Sequence, residues 1–496
     1  MFAAFVVVLT VLVFALLIGA ALTVLGWKLG VILCFAIAAP IYLAAFWKNY
    51  DAAADLFFLG MLGIVFGTEV LASLAGLKLS FLTELFLFSA LPLVAVRAAS
   101  GRLRFDGIKP VFLPLGAYFV IALVSSVYGF STLLGVFFQL LTTIKPFLLI
   151  LLGAAITGHE RFERILLFVV ANLWKILLPL VVLQLISPAA FSSVFHDAAV
   201  SARNDLLGTT RAVGFFRHAS YLGSYAGLFS LISVTAFLWK KRKSYLVASA
   251  VYLFLMIASG ERNETVAGVA GLAMLPLVLG PREGMGKRAL LSVVVMTVLT
   301  FSAFLFFQDY ILGEAEKMNL VGNGRVFQPR SVLYYDGFRL ANQYFPLGSG
   351  LGTFGSAAAA KFNWAVYDML GFRGFSWYGT NVLNDTYWPQ FFAEAGWIGF
   401  SFYFISFVAV FVSLVRALRS ATSSRELFFS RSAYLAFIFC AAISVASPIF
   451  EDPGLFLIPG ALIGYALMQR GRRGTRLETM ARSELVRPLR GDGAMS

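Results

Sequence analysis

The chain has 496 residues, of which 60 % are hydrophobic and only 13 % charged, and its formal charge is +14. That composition excludes a soluble globular domain and places the chain among integral membrane proteins. The basic residues cluster in short segments between apolar runs, as the positive-inside bias of membrane proteins requires, so the net charge does not mark a nucleic-acid partner.

A membrane-crossing helix needs about twenty mostly apolar residues. Breaking the apolar runs at charged or Gly/Pro punctuation predicts about fourteen spans: 3–25, 28–47, 54–76, 80–97, 111–130, 134–157, 163–187, 216–239, 244–260, 263–280, 289–309, 390–415, 432–450 and 454–469. The first run has no basic residues ahead of it and is longer than a signal-peptide core, so it is expected to stay as a span. Basic residues from Arg97 to Lys109, at Arg161 and Arg164, from Lys240 to Lys243, from Arg282 to Arg288 and from Arg416 to Arg431 fall in alternate loops, which predicts that both termini are cytoplasmic. No internal repeat of the transporter kind is evident.

This reading gives an all-α polytopic membrane protein with membrane helices over 1–309, a large outer cap loop over 310–389, further helices over 390–470 and a disordered basic cytoplasmic tail over 471–496. A loop as long as the cap is either functional or disordered. Its aromatics (Tyr334, Trp364, Trp377), its amphipathic run from Tyr334 to Phe345 and its glycine-spaced turn from Pro346 to Phe354 favour a folded, partly helical cap. Cys34 and Cys440 sit in apolar runs, and His159, His196 and His218 have no paired ligand spacing. Neither a disulfide framework nor a metal site is therefore expected.

Charges inside apolar spans are costly and mark paired or functional positions. Lys145, followed by Pro146, and Lys175 lie at similar depth in consecutive spans and are expected either to face a common polar cavity or to pair with carboxylates such as Glu69 and Glu84. At the outer face, Arg211 and Arg217 precede one span and Arg262 opens another, while the cap adds Arg325 and Arg330. Arginine stays charged and presents a planar fork to phosphate, so a group of arginines on the side that disfavours them suggests an anionic ligand. Glu394, one or two turns into its span, needs a partner, and an arginine from the 260–263 hairpin or Arg217 would serve. Asp385, at the mouth of that span, is placed to act as a general base.

Four features in order carry a family resemblance: Gly214-Phe215 to Leu222-Gly223 at the start of a span; the hairpin Ser259-Gly260-Glu261-Arg262; a large outer loop ahead of the last three spans; and Arg330, Tyr334, Pro346, Gly348, Gly350, Gly352, Glu394, Gly396 and Gly399. Over about residues 211 to 400 the chain resembles the bacterial O-antigen ligase and polymerase superfamily. The resemblance implies a glycosyltransferase at the periplasmic face of the inner membrane. It would take an undecaprenyl-diphosphate-linked glycan as donor and a second glycan as acceptor, without metal, nucleotide sugar or other cofactor. Arg217, Arg262 and Arg330, with Arg211 and Arg325, would hold the diphosphate. Asp385 and Glu394 would be the catalytic carboxylates, with His218 as a reserve base. Ligases of the superfamily show a His-Asn pair where this chain has Asn384-Asp385, and the cap contains no histidine. The resemblance therefore points to a polymerase of oligosaccharide repeat units, with a chain-length regulator as a further partner. A ligase acting on a lipid or protein acceptor and a lipid-linked-glycan flippase are the alternatives.

Overall fold

In lipid every backbone polar group must be paired within the protein, so long apolar runs become helices. The computed structural model describes residues 50–75, 79–99, 108–156, 160–195, 203–204, 209–279 and 329–485. In chain order these form α1 (Tyr50–Ala75), α2 (Ser80–Phe88), α3 (Leu91–Ala99), α4 (Lys109–Tyr128), α5 (Leu133–Ala155), α6 (Glu160–Asn172), α7 (Trp174–Ile186) and α8 (Pro188–Val194). After a two-residue antiparallel pair, Arg203–Asn204 with Thr209–Thr210, come α9 (Ala219–Lys240), α10 (Lys243–Ala258), α11 (Arg262–Ala273) and α12 (Leu275–Leu279). The cap contributes α13 (Pro329–Gln343), α14 (Ala357–Phe362) and α15 (Ala365–Met369), and the chain continues through α16 (Trp388–Ser420), α17 (Ser424–Ile443) and α18 (Pro453–Leu485).

Seven helical stretches among the described residues are long and apolar enough to cross a membrane, and α10 and the start of α18 are shorter apolar helices. The chain is thus a multi-pass helical membrane protein. Expected spans 3–25, 28–47 and 289–309 lie outside the described residues. Three expected spans are divided: 80–97 becomes α2 and α3, 163–187 becomes α6 and α7, and 263–280 becomes α11 and α12. The last helix also corrects an expectation. Its backbone stays helical to Leu485, through much of the stretch read as a disordered tail.

Local chemistry fixes the helix starts. The Thr132 hydroxyl accepts from the Gly135 N–H, and Ser423 and Glu426 form a reciprocal capping box. Asp452 Oδ1 accepts from the N–H groups of Gly454 and Leu455 while Pro453 occupies the first turn, where its missing N–H costs nothing. Helices α5 and α18 pack most extensively. A side chain on Gly153 would meet the Ala461 carbonyl and one on Gly464 would meet that of Ile150, so the small residues of Gly460-Ala-Leu-Ile-Gly464 allow backbone contact.

Ion pairs tie helix ends together at one end of the bundle: Arg161 to Asp55 at 3.8 Å, Lys240 to Glu163 at 3.5 Å and Arg425 to Glu163 at 2.6 Å. The cap sits at the opposite end, with an apolar core of its own that includes Leu333, Leu340, Phe354, Tyr367 and Phe372.

Candidate functional site

The glycine-rich stretch of the cap is bound into the membrane helices. Ser349 N–H donates to the Ala393 carbonyl at 2.8 Å and Gly350 N–H to that of Glu394 at 2.9 Å. Between α4 and α5, Phe130 N–H donates to Ser349 O at 2.8 Å and Ser131 Oγ to Leu351 O at 2.9 Å. To admit this loop α16 breaks at Gly396, whose φ of 64° and ψ of −176° are not helical. A side chain there would strike the Pro346 carbonyl. Such a break is tolerated at membrane depth because it is buried in protein.

Glu394 anchors the same loop. Its Oε1 accepts from Thr353 N–H at 3.0 Å, Phe354 N–H at 3.2 Å and Ser356 Oγ at 2.8 Å, and the residue is 1 % exposed. The expected arginine partner is therefore replaced by backbone and hydroxyl donors. The motif glycines and Glu394 form one joint between cap and membrane body.

Asp385 is held differently. Arg330 Nε and NH2 both donate to its Oδ2, at 2.9 and 2.6 Å. Burial raises the Asp385 carboxyl above the ordinary value, with the Arg330 charge and hydrogen bonds pulling against it. Beside this pair Arg211 meets Glu261 at 3.3 Å. Burial raises Glu261 as well, and the Arg211 and Arg330 charges oppose the rise. Arg262 is exposed on the first turn of α11. Arg217 is half-buried, its N–H donating to Glu69 Oε2 at 3.3 Å. His218 has an exposed surface, and its pKa is lowered by partial desolvation and then by neighbouring Arg217, which favours the neutral imidazole. Arg325 lies outside the described residues.

Below the cap is a cavity of about 360 Å³, within the size range of small-ligand sites. Its roof comes from Lys361 and Phe362 of α14 and from Asn384, the neighbour of Asp385. Its walls carry Glu69 of α1, Glu84 of α2, Lys145 of α5 and Tyr221 of α9, and the segment between α17 and α18 adds Glu451 and Asp452. Lys145 is 5 % exposed and its Nζ meets Glu84 Oε1 at 2.6 Å. Asp452 accepts from the Tyr221 hydroxyl, and Glu451 from the Gln390 amide. Gln390 in turn accepts from Gln139 at 3.2 Å, so a buried polar chain runs inward from the cavity floor.

Lys175 does not share this cavity. It is exposed at the start of α7 and donates to Asn172 at 2.9 Å. Glu451 and Asp452 were legible only as helix punctuation. The missed signal was two adjacent carboxylates in a chain with few charges, which carries the same argument as a charge inside a span. No protein-family model and no curated protein matches the chain.

Proposed function

We propose that the protein is a metal-independent membrane glycosyltransferase that joins undecaprenyl-diphosphate-linked oligosaccharide repeat units into an O-antigen, capsular polysaccharide or exopolysaccharide. In this reading the chain crosses the bacterial inner membrane about fourteen times, with both termini cytoplasmic and the cap in the periplasm. The observation that carries it is the Arg330–Asp385 pair, beside Arg211–Glu261 and next in sequence to Asn384, which lines the cavity roofed by the cap.

A guanidinium fork and a carboxylate are what diphosphate departure requires. Asp385 takes the proton of an acceptor hydroxyl as that oxygen bonds the anomeric carbon of the donor. The bond from that carbon to the diphosphate oxygen breaks, and the electron pair leaves with the diphosphate. Arg330, with Arg211, Arg217 and Arg262, offsets the charge that grows on the leaving group, and preorganised donors in a water-poor site do this better than solvent. Glu394, spent on the cap joint, is assigned a positioning role rather than proton transfer.

A ligase would use the same donor chemistry and differ in its acceptor. The test is glycan elongation in cells carrying Arg262→Ala or Arg330→Ala. Elongation is lost while the protein still inserts and accumulates; normal polymer from both variants would overturn the reading.

A further inference from the structure

The arginine pairs and the cavity are separate chemical environments that meet at Asn384-Asp385. The first is suited to an anion. The cavity lining instead sets four carboxylates (Glu69, Glu84, Glu451, Asp452) against two ammonium groups (Lys145, Lys361), and Lys145 is already matched by Glu84. Carboxylates accept hydrogen bonds and donate none when ionised, so they suit a ligand rich in hydroxyl or ammonium donors and disfavour a further carboxylate.

Two independent observations point to a ligand there. Thr83 is 6 % exposed and lines the cavity, yet its hydroxyl has no hydrogen-bond partner among the described residues. That hydroxyl opens onto the cavity and is free to donate to or accept from a ligand hydroxyl. Thr142 also lines the cavity, and its carbonyl faces Pro146, which has no N–H to give it. The rings of Phe138 and Phe362 stack at 4.6 Å along one wall and offer an apolar face of the kind a sugar's C–H surface packs on.

The geometry points to this cavity as the glycan subsite of the proposed transferase, selective for neutral or amino sugars over uronic acids. The inference rests on the glycosyltransferase reading for its ligand class, and the selectivity rests on the cavity's own charges. Donor diphosphate and glycan then lie on opposite sides of Asp385, where the acceptor hydroxyl loses its proton.

The test uses the full-length chain in lipid nanodiscs at mildly alkaline pH, above the value of about 7 to which burial raises Glu451, and saturation-transfer NMR with three methyl glycosides: N-acetylglucosaminide, glucosaminide and glucuronide. The first two bind, and the glucuronide binds about tenfold or more weakly. Glu451→Gln, which removes one negative charge without changing shape, narrows that gap severalfold. Lys361→Glu, at an exposed cap position, widens it, and Thr83→Val weakens all three glycosides. Equal binding of the glucuronide, a gap that neither charge variant moves, or no glycoside binding at all would overturn the assignment. The assay involves no elongation step, so the two proposals fail separately. Selective binding combined with normal polymer in cells lacking the protein would remove the polymerase reading and leave the subsite. Lost elongation combined with unselective binding would do the reverse.

Discussion

Arg330 and Asp385 are fifty-five positions apart in sequence, and Arg330 commits two donors to one oxygen, Oδ2, of the Asp385 carboxylate. The second oxygen has no such bond, so the pair leaves a proton-accepting site on the carboxylate and leaves the Arg330 NH1 group outside it. Lysine offers a point charge instead of a fork. Arg330→Lys is expected to retain a small part of the elongation rate and Arg330→Ala to lose about 10²–10³-fold, as for removal of one preorganised donor. Elongation measured in membranes at matched protein levels checks this, and full activity in Arg330→Ala would remove the residue from the site.

The pH profile tests the role of Asp385. Burial raises its pKa above the ordinary 3.8, and the base is active only when ionised. Activity is therefore present above the raised value and is lost as pH falls through it, so the acid limb lies above that of a free aspartate. Asp385→Asn should remove the limb and leave a rate lower by about 10²–10⁴-fold. For stability the sign is opposite. A carboxyl whose pKa is raised on folding lends stability below the unfolded value and loses it as pH rises through the folded value. An activity loss at low pH thus cannot be unfolding caused by this group. An unchanged acid limb in Asp385→Asn would assign the base elsewhere, with neutral His218 next in line.

Glu394 and Gly396 are expected to fail by a different route. Replacing Glu394 by Ala leaves two buried N–H groups and a hydroxyl without their acceptor, at about 1–3 kcal/mol for each unmet buried group. Gly396→Ala forces a left-handed backbone on a residue with a side chain and drives that side chain into the cap loop. Both variants should lower the amount of folded protein, measured by detergent-solubilised yield and thermal melting. Normal yield and melting with lost activity in Glu394→Ala would instead return Glu394 to the chemistry.

Lys145→Met should destabilise by about 1–3 kcal/mol, less than the usual cost of breaking a fully buried pair, because the Glu84 side chain is 48 % exposed. The double variant Lys145→Met, Glu84→Gln should recover part of that loss. No recovery in a double-mutant cycle would mean the pair does not set the stability of this wall.

Much of the architecture was legible because apolar length alone dictates helices, and α4, α5, α9, α10 and α16 begin close to where hydrophobic runs begin. The Lys145–Glu84 pairing was one of the alternatives that the cost of a charge at depth left open. Partners supplied by the backbone were not legible. Nothing in the residue types near Glu394 shows that N–H groups forty positions earlier would reach it, and the glycines that make this approach possible read equally well as a loop or a ligand cradle. Lys175 was misplaced because a span counted by length carries no facing direction.

The most direct test of the central claim is the size distribution of lipid-linked and surface glycan in cells lacking this protein. A polymerase predicts that single repeat units accumulate on the polyprenyl carrier at the outer face. Full-length polymer stranded on the carrier would contradict this in favour of a ligase, and repeat units trapped on the cytoplasmic side would contradict it in favour of a flippase.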